Sequence, residues 1–313
     1  MLFVARIQNS MTIANNAGAL IEAETLTNIT PSKESVVHSL PDKPVIVIER
    51  RSWLGLDLRE LWAYRELLYF FIWRDVKVRY KQTLLGVLWV VLQPLLMMLI
   101  FAFLFGRIAG IQSDGIGYSL FAYAGLLAWT FFSSAVTAAG NSVVNSASLI
   151  TKVYFPRMLI PVAAVGANMV DFAIAFIPLA GMMILWKVRI TGNLLLLPIF
   201  IIMVVMLAVG VGMFMAALNV KYRDVRLALP FIIQVWFFSS PIILPLTIFP
   251  EKLRWLLALN PMAGIIEAFR VSLYSHKSFD WQAIGVAAAV TITFLIFAIY
   301  RFKRVEREFA DLI

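Results

Sequence analysis

Side chains able to do chemistry are few in this sequence, and they are widely spaced. Asp171 stands inside an apolar stretch with Asn168 one helical turn before it, Glu267 precedes Arg270 by three residues, and His38 and His276 are the only histidines. A carboxylate in such a stretch reads either as an ion-coupling site or as a hydrogen-bonding group that packs helices. With a single acid the packing reading is favoured. Glu267 and Arg270 have the spacing of a structural ion pair on one helix face. The histidines are too far apart for a triad or a metal site, and there is no cysteine to serve as ligand or nucleophile. A Walker-type phosphate loop, GxxxxGKS or GxxxxGKT, is also missing, so the chain itself should hydrolyse no ATP. The expectation is a chain that is not an enzyme and holds no metal or cofactor.

A different kind of surface is encoded further along. Gln234, Phe237, Phe238 and Pro241 fall at helical offsets of 0, 3, 4 and 7, which puts an amide and aromatic rings on one face. Amides exchange hydrogen bonds with sugar hydroxyls, and rings cover the apolar C–H faces of sugars. Trp89, Gln93 and Met97 form a weaker counterpart. Such faces suit a sugar conduit, although packed or lipid-facing aromatics are the plainer explanation.

The elements that must position these residues are membrane helices. Hydrophobic residues make up 61% of the 313 and charged residues 14%, with a mean hydropathy of +0.86. Water-soluble folds rarely carry so little charge. Six stretches reach the roughly 20 residues that cross a hydrocarbon core. They lie at about 84–106, 118–142, 158–186, 194–219, 227–249 and 281–300. All are expected to be helices, because an open chain leaves its backbone unsatisfied in lipid.

Residues 1–50 read as a polar, mobile cytoplasmic arm without a signal peptide, and 51–313 as the membrane domain. Between them, 57–76 reads as an amphipathic helix in the membrane interface, with Asp57 as N-cap and Trp62, Tyr69 and Trp73 at headgroup depth. Charges between Arg59 and Asp75 would be costly in hydrocarbon, which disfavours a span there. The net charge of +9 follows topology rather than nucleic-acid binding. With the amino terminus inside, thirteen Lys and Arg flank the inner ends of the spans and seven the outer, so both termini are expected in the cytoplasm. The outer segment 250–280 is too apolar for a loop and too interrupted for a span. It reads as two short helices split at Asn260-Pro261, a re-entrant hairpin in the outer leaflet.

The run LRELWAYRELLYFFIWRDVKVRYKQTLLGVLWVVLQPLL, Leu58 to Leu96, closely resembles the start of permease subunits of bacterial ABC exporters for O-antigen, capsule and teichoic-acid-type polysaccharides. Agreement continues in SASLITKVYFPRMLIPVA, NVKYRDVR and LNPMAGIIEAFR. The resemblance implies an all-α protein of the bacterial inner membrane, a homodimer of six-span subunits bound to two separate ATPase subunits that carry ATP and Mg. Its cargo would be a lipid-linked glycan, moved along a conduit at the dimer interface, and the two faces described above, with Trp89, Gln93, Gln234, Phe237 and Phe238, are the residues expected to line it. It further implies that Leu149, Ile150, Lys152, Val153, Phe155, Pro156 and Arg157 form a coupling helix seated on the ATPase. Tyr222, Arg223 and Asp224 supply a second contact, and Trp255, Pro261, Glu267 and Arg270 belong to an outer gate. Rival readings are an ABC permease for a drug or small lipid, a secondary transporter, and an intramembrane glycan-processing enzyme, which would need an acid or base cluster.

Overall fold

The computed structural model describes residues 62–81, 86–111, 117–189, 191–248, 250, 257–274 and 278–306, all within one compact unit. The arm 1–50, Asp57, Trp255 and most of the first short helix expected in the segment 250–280 lie outside the described residues. Among the described residues every regular element is helical. In chain order they are α1 (Arg65–Tyr80), α2 (Gly86–Phe101), α3 (Tyr118–Asn145), α4 (Ala147–Ile150), α5 (Leu159–Leu185), α6 (Leu197–Lys221), α7 (Val225–Phe238), α8 (Pro261–Leu273) and α9 (Trp281–Glu306). A π-helical segment, Ala102–Ile108, prolongs α2, and a 3₁₀ turn, Gly192–Leu196, leads into α6.

Five helical runs among the described residues are long and apolar enough to cross a membrane: Gly86–Ile108, Tyr118–Asn145, Leu159–Leu185, Gly192–Lys221 and Trp281–Glu306. The stretch expected as a span over 227–249 is different. Its helix, α7, has 14 residues and stops at Phe238, about 21 Å long at 1.5 Å per residue. The local sequence explains the stop. Ser239 and Ser240 turn their hydroxyls back onto the carbonyls of Val235 and Trp236, and Pro241 has no N–H and clashes with the carbonyl four residues before it. Likewise α1 runs four residues beyond the boundary expected for the interfacial helix, to Tyr80.

Helix α3 is the centre of the bundle, with 78% of its most apolar window buried, against 11% for α2. It packs along α5 and α6 through small residues. A Cβ on Gly212 of α6 would lie 2.5 Å from the Cβ of Ala139 on α3, so glycine is what lets the two backbones approach. Polar bonds pin the same contacts: the Asn219 amide donates to the Gly140 carbonyl at 2.9 Å, and the Tyr123 hydroxyl to the Ala175 carbonyl at 2.8 Å.

Asn260-Pro261 divides the outer segment where expected, as N-cap and first helical residue of α8. This helix is not a surface element. Every residue from Pro261 to Leu273 is buried except Glu267, which is partly so, with α3, α6 and α9 around it.

Replacing Gly212 by Val should lower the thermal stability of the purified protein by about 1–3 kcal/mol, since the neighbouring Ala139 Cβ is fixed to its backbone. Gly181→Ala, where nothing lies within 4 Å of the new Cβ, should leave the melting temperature equal or slightly raised, because alanine is the better helix former. Thermal-shift measurements in detergent compare the two.

Candidate functional site

A cavity of about 1070 Å³ opens between α1, α3, α5 and α7. Its α3 wall carries Ser133, Thr137, Asn141 and Asn145, a polar side chain on every fourth residue and therefore one polar stripe. The Ser133 hydroxyl donates to the Thr130 carbonyl, Thr137 to Ser133 at 2.7 Å and the Asn141 amide to Thr137 at 2.9 Å. With those donors engaged on their own helix, the Ser133 and Thr137 oxygens remain as acceptors, while Asn141 Oδ1 accepts from the Asn219 amide at 3.1 Å.

Facing this stripe are Arg74 and Arg79 of α1 and Asn168 and Asp171 of α5. Asp171 is the thirteenth of 27 residues in α5, about 18 Å along the helix from Leu159. Sequence alone showed no partner for it. The structure supplies two from α1: Arg79 makes an ion pair with one carboxylate oxygen, and the Tyr80 hydroxyl donates to the other. Arg79 also donates to Asn168 Oδ1 at 3.2 Å. Burial, together with the adjacent carboxylate, pushes the Tyr80 phenol well above its usual range, so it stays a donor. Gly166 lets α1 come this close, because a Cβ there would meet Ile72 Cδ1 at 2.7 Å.

One end of the bundle carries both loops that resemble coupling elements. The Asn219 contact with Gly140 and Asn141 brings the ends of α6 and α3 together, so the turns that follow them lie side by side. Helical geometry covers only Ala147–Ile150; Thr151 onward forms turns. Ile150 and Phe155 are buried, and the Phe155 ring meets Phe71 of α1 edge-on at 5.4 Å. Arg157 is turned inward: its guanidinium donates to the Glu306 carbonyl at 2.6 Å and its backbone N–H to the Glu306 carboxylate at 3.0 Å. Pro156 is partly buried beside it. The side chains that stand clear are Lys152, Val153 and above all Tyr154, which is 91% exposed and escaped the sequence reading. Tyr222, Arg223 and Asp224 are exposed as well.

The residues expected along a conduit divide. Trp89, Gln93, Gln234 and Phe238 are exposed on the outer faces of α2 and α7, whereas Phe237 packs among Phe101 and Trp129. Tyr69 and Trp73 are exposed on α1, and Trp62 is exposed in the turn that precedes it.

At the opposite end, Arg270 is 2% exposed and makes two bonds into the broken end of α7, to the carbonyls of Pro241 and Ile242. Its guanidinium lies 3.6 Å from the Phe121 ring centroid. Glu267 is 3.9 Å away, so the expected pair is the weakest of these contacts. Gly125 makes the room, as a Cβ there would sit 2.2 Å from Arg270 Nη2. Asn260 completes the join: it caps α8 at Met262, accepts from Trp236 and donates to Ser239 and Ser240. Pro261 is buried within the same join.

An all-helical membrane bundle with a polar cavity, two adjoining loops at one end and a broken helix at the other is matched by a family model for ABC-2 type transporters over residues 66–274. The chain belongs to the ABC-2 type transporter family. Within it, the chain is 31% identical to the O-antigen export system permease protein RfbA of Myxococcus xanthus over 256 residues, covering 81% of this chain and 98% of that protein. It is 29% identical to a protein of the same description from Klebsiella pneumoniae, covering 77% and 92%. Identity to the polysialic acid transport protein KpsM of Escherichia coli is 24%, covering 73% and 90%.

Arg270→Met should cost about 2–5 kcal/mol of stability, because two buried carbonyls lose their donor. Arg270→Lys should recover only part, lacking the planar fork that reaches both oxygens and stacks on Phe121. Thermal unfolding decides, and a Met variant as stable as wild type would remove Arg270 from this role.

Proposed function

We propose that this chain is the permease subunit of an ATP-driven exporter that moves a lipid-linked polysaccharide, of the O-antigen or capsule class, across the bacterial inner membrane. The observation that carries the reading is the match to an O-antigen export permease along 98% of that protein's length, with a polysialic acid transport protein as a further relative. A hydroxyl and amide wall in a large cavity suits a sugar cargo.

In this reading two copies pair and enclose a conduit between the outer faces of α2 and α7, to which Trp89, Gln93, Gln234 and Phe238 contribute, with Phe237 as their backing. Separate ATPase subunits carry ATP and Mg and seat against the end of the bundle that holds Tyr154 and Tyr222. That end is cytoplasmic: Lys152, Arg157, Lys221, Arg223, Arg226, Lys303 and Arg304 gather there, in keeping with the positive-inside rule. Both termini lie on that side. The sixth crossing is made by α7 together with the segment after Phe238, and α8 enters from the outer side to close against it. Helix α1 and the turn before it present Trp62, Tyr69 and Trp73 to the membrane interface. Glu267, Pro261 and Arg270, with Trp255 outside the described residues, form the outer gate.

Deleting the chain in its host should abolish the surface glycan while its lipid-linked precursor accumulates inside, and restoring the chain should reverse both. Surface glycan that persists at wild-type levels would end the exporter reading, and ATPase activity stimulated by a small amphiphile would favour the drug or lipid rival. Tyr154→Ala should reduce co-purification of the ATPase subunit at least fivefold with permease abundance unchanged. Phe155→Ala should instead lower abundance, because it removes the packing on Phe71. Pull-down with quantitative blotting separates the two outcomes.

A further inference from the structure

The cavity between α1 and α3 offers donors on one side and acceptors on the other. Arg79 and Arg74 reach it from α1, while α3 presents side-chain oxygens whose own protons are engaged on backbone carbonyls. A phosphate joined to a sugar has the opposite arrangement. Its anionic oxygens seek a guanidinium fork, and its sugar hydroxyls donate to oxygens. The charged groups that face one another here are Arg74 with Asp75 and Arg79 with Asp171, so the cavity is electrically balanced before any ligand enters.

The Arg79–Asp171 pair is unusual for a structural bond. The side chains are 35% and 19% exposed and open into the cavity. An ion pair this accessible contributes little to stability, while placing a carboxylate this far along a spanning helix is costly. The cost becomes intelligible if Asp171 serves as an internal anion that holds Arg79 until an external one replaces it. We infer that this cavity takes the glycosyl phosphate end of the lipid-linked cargo, with the ligand phosphate displacing Asp171 from Arg79 while the Ser133 and Thr137 oxygens receive sugar hydroxyls. The inference rests on the exporter reading for its choice of cargo and assigns the site on this chain where that cargo is first held.

The displaced carboxylate keeps its Tyr80 partner, so the exchange does not leave Asp171 bare. A phosphate binds Arg79 better than a carboxylate because it presents more oxygens and more charge to the same fork. Removing the internal competitor therefore strengthens ligand binding, and removing the guanidinium weakens it. A purely structural pair predicts neither of these opposed effects.

The full chain, purified in an amine-oxide detergent that carries neither phosphate nor sugar, is titrated by calorimetry with farnesyl diphosphate and, separately, with glucose 1-phosphate. Both should bind, whereas farnesol and glucose should not. Arg79→Gln should weaken binding about tenfold or more, in line with loss of a charge-assisted bond, and Asp171→Asn should tighten it by a similar factor. Tighter binding of farnesyl diphosphate assigns the site to a lipid-borne phosphate, and equal binding assigns it to sugar phosphates in general. Absence of binding, an Arg79→Gln affinity equal to wild type, or an Asp171→Asn variant that binds no tighter would each overturn the proposal. Size-exclusion elution shows that the variants are folded. Normal glycan export by an Arg79→Gln variant that has lost phosphate binding would sink the cavity assignment and leave the exporter reading standing; the deletion strain tests that reading alone.

Discussion

A helix that stops inside an apolar bundle leaves carbonyls that need donors from elsewhere in the chain, and the half of this fold around α8 is organised around that constraint. Where α7 ends at Phe238, the chain turns with its carbonyls at Pro241, Ile242 and Ile243 facing the bundle. Arg270 takes the first two and the Tyr118 hydroxyl the third, at 2.9 Å. The donors come from α8 and α3, so α8 must be inside the protein and α3 must pass close by. Burial of α8 and the glycine at position 125 follow from the same requirement. A buried guanidinium is unfavourable unless it is hydrogen-bonded, and stacking on Phe121 adds a cation–π contact to the two bonds that Arg270 makes.

The sequence made the helical class, the approximate limits of five long helices and the break at Asn260-Pro261 legible. Each rests on a local signal: apolar length, or the pairing of an N-cap with proline. What was not legible depends on contacts between distant segments. Arg79 and Asp171 are 92 positions apart, and in the sequence Arg79 reads as one more flanking cation. Arg157 was expected to face a partner and instead holds Glu306, 149 positions away. Phe155, expected as an outward anchor, is inward because Phe71 offers it a ring edge. The α3 stripe is the exception. Its fourfold spacing in SSAVTAAGNSVVN was there to be found, but small hydroxyl residues in a spanning helix read first as packing groups.

Packing is distributed unevenly across the bundle, and the distribution fits transport. Helices α3, α5, α6 and α8 form a dense block fixed by glycine contacts and interhelical hydrogen bonds. Helix α9 is seated on this block through Gly210 and Gly264, whereas α2 and α7 keep much of their apolar surface free of this chain. In a membrane those surfaces cost nothing against lipid, so they can exchange lipid for protein neighbours with little change in free energy. A carrier of a bulky cargo needs such elements, because rearrangement within the dense block would break many contacts at once.

Helix α1 connects the polar cavity with the loop that carries Tyr154. At Phe71 it touches Phe155 in the loop that precedes α5, and two turns later it reaches Asp171 through Arg79 and Tyr80. Ile72 is seated over Gly166 between these points, so the contact is continuous along α5. A movement of the loop therefore changes the position of the cavity's cations as well as its own. The converse also holds, because any ligand that alters the hold of Arg79 on Asp171 alters the balance between positions of α1. Energy passes between sites only through an element whose states the two sites weight differently. Here that element is a single helix fastened by an aromatic edge at one end and an exchangeable ion pair at the other.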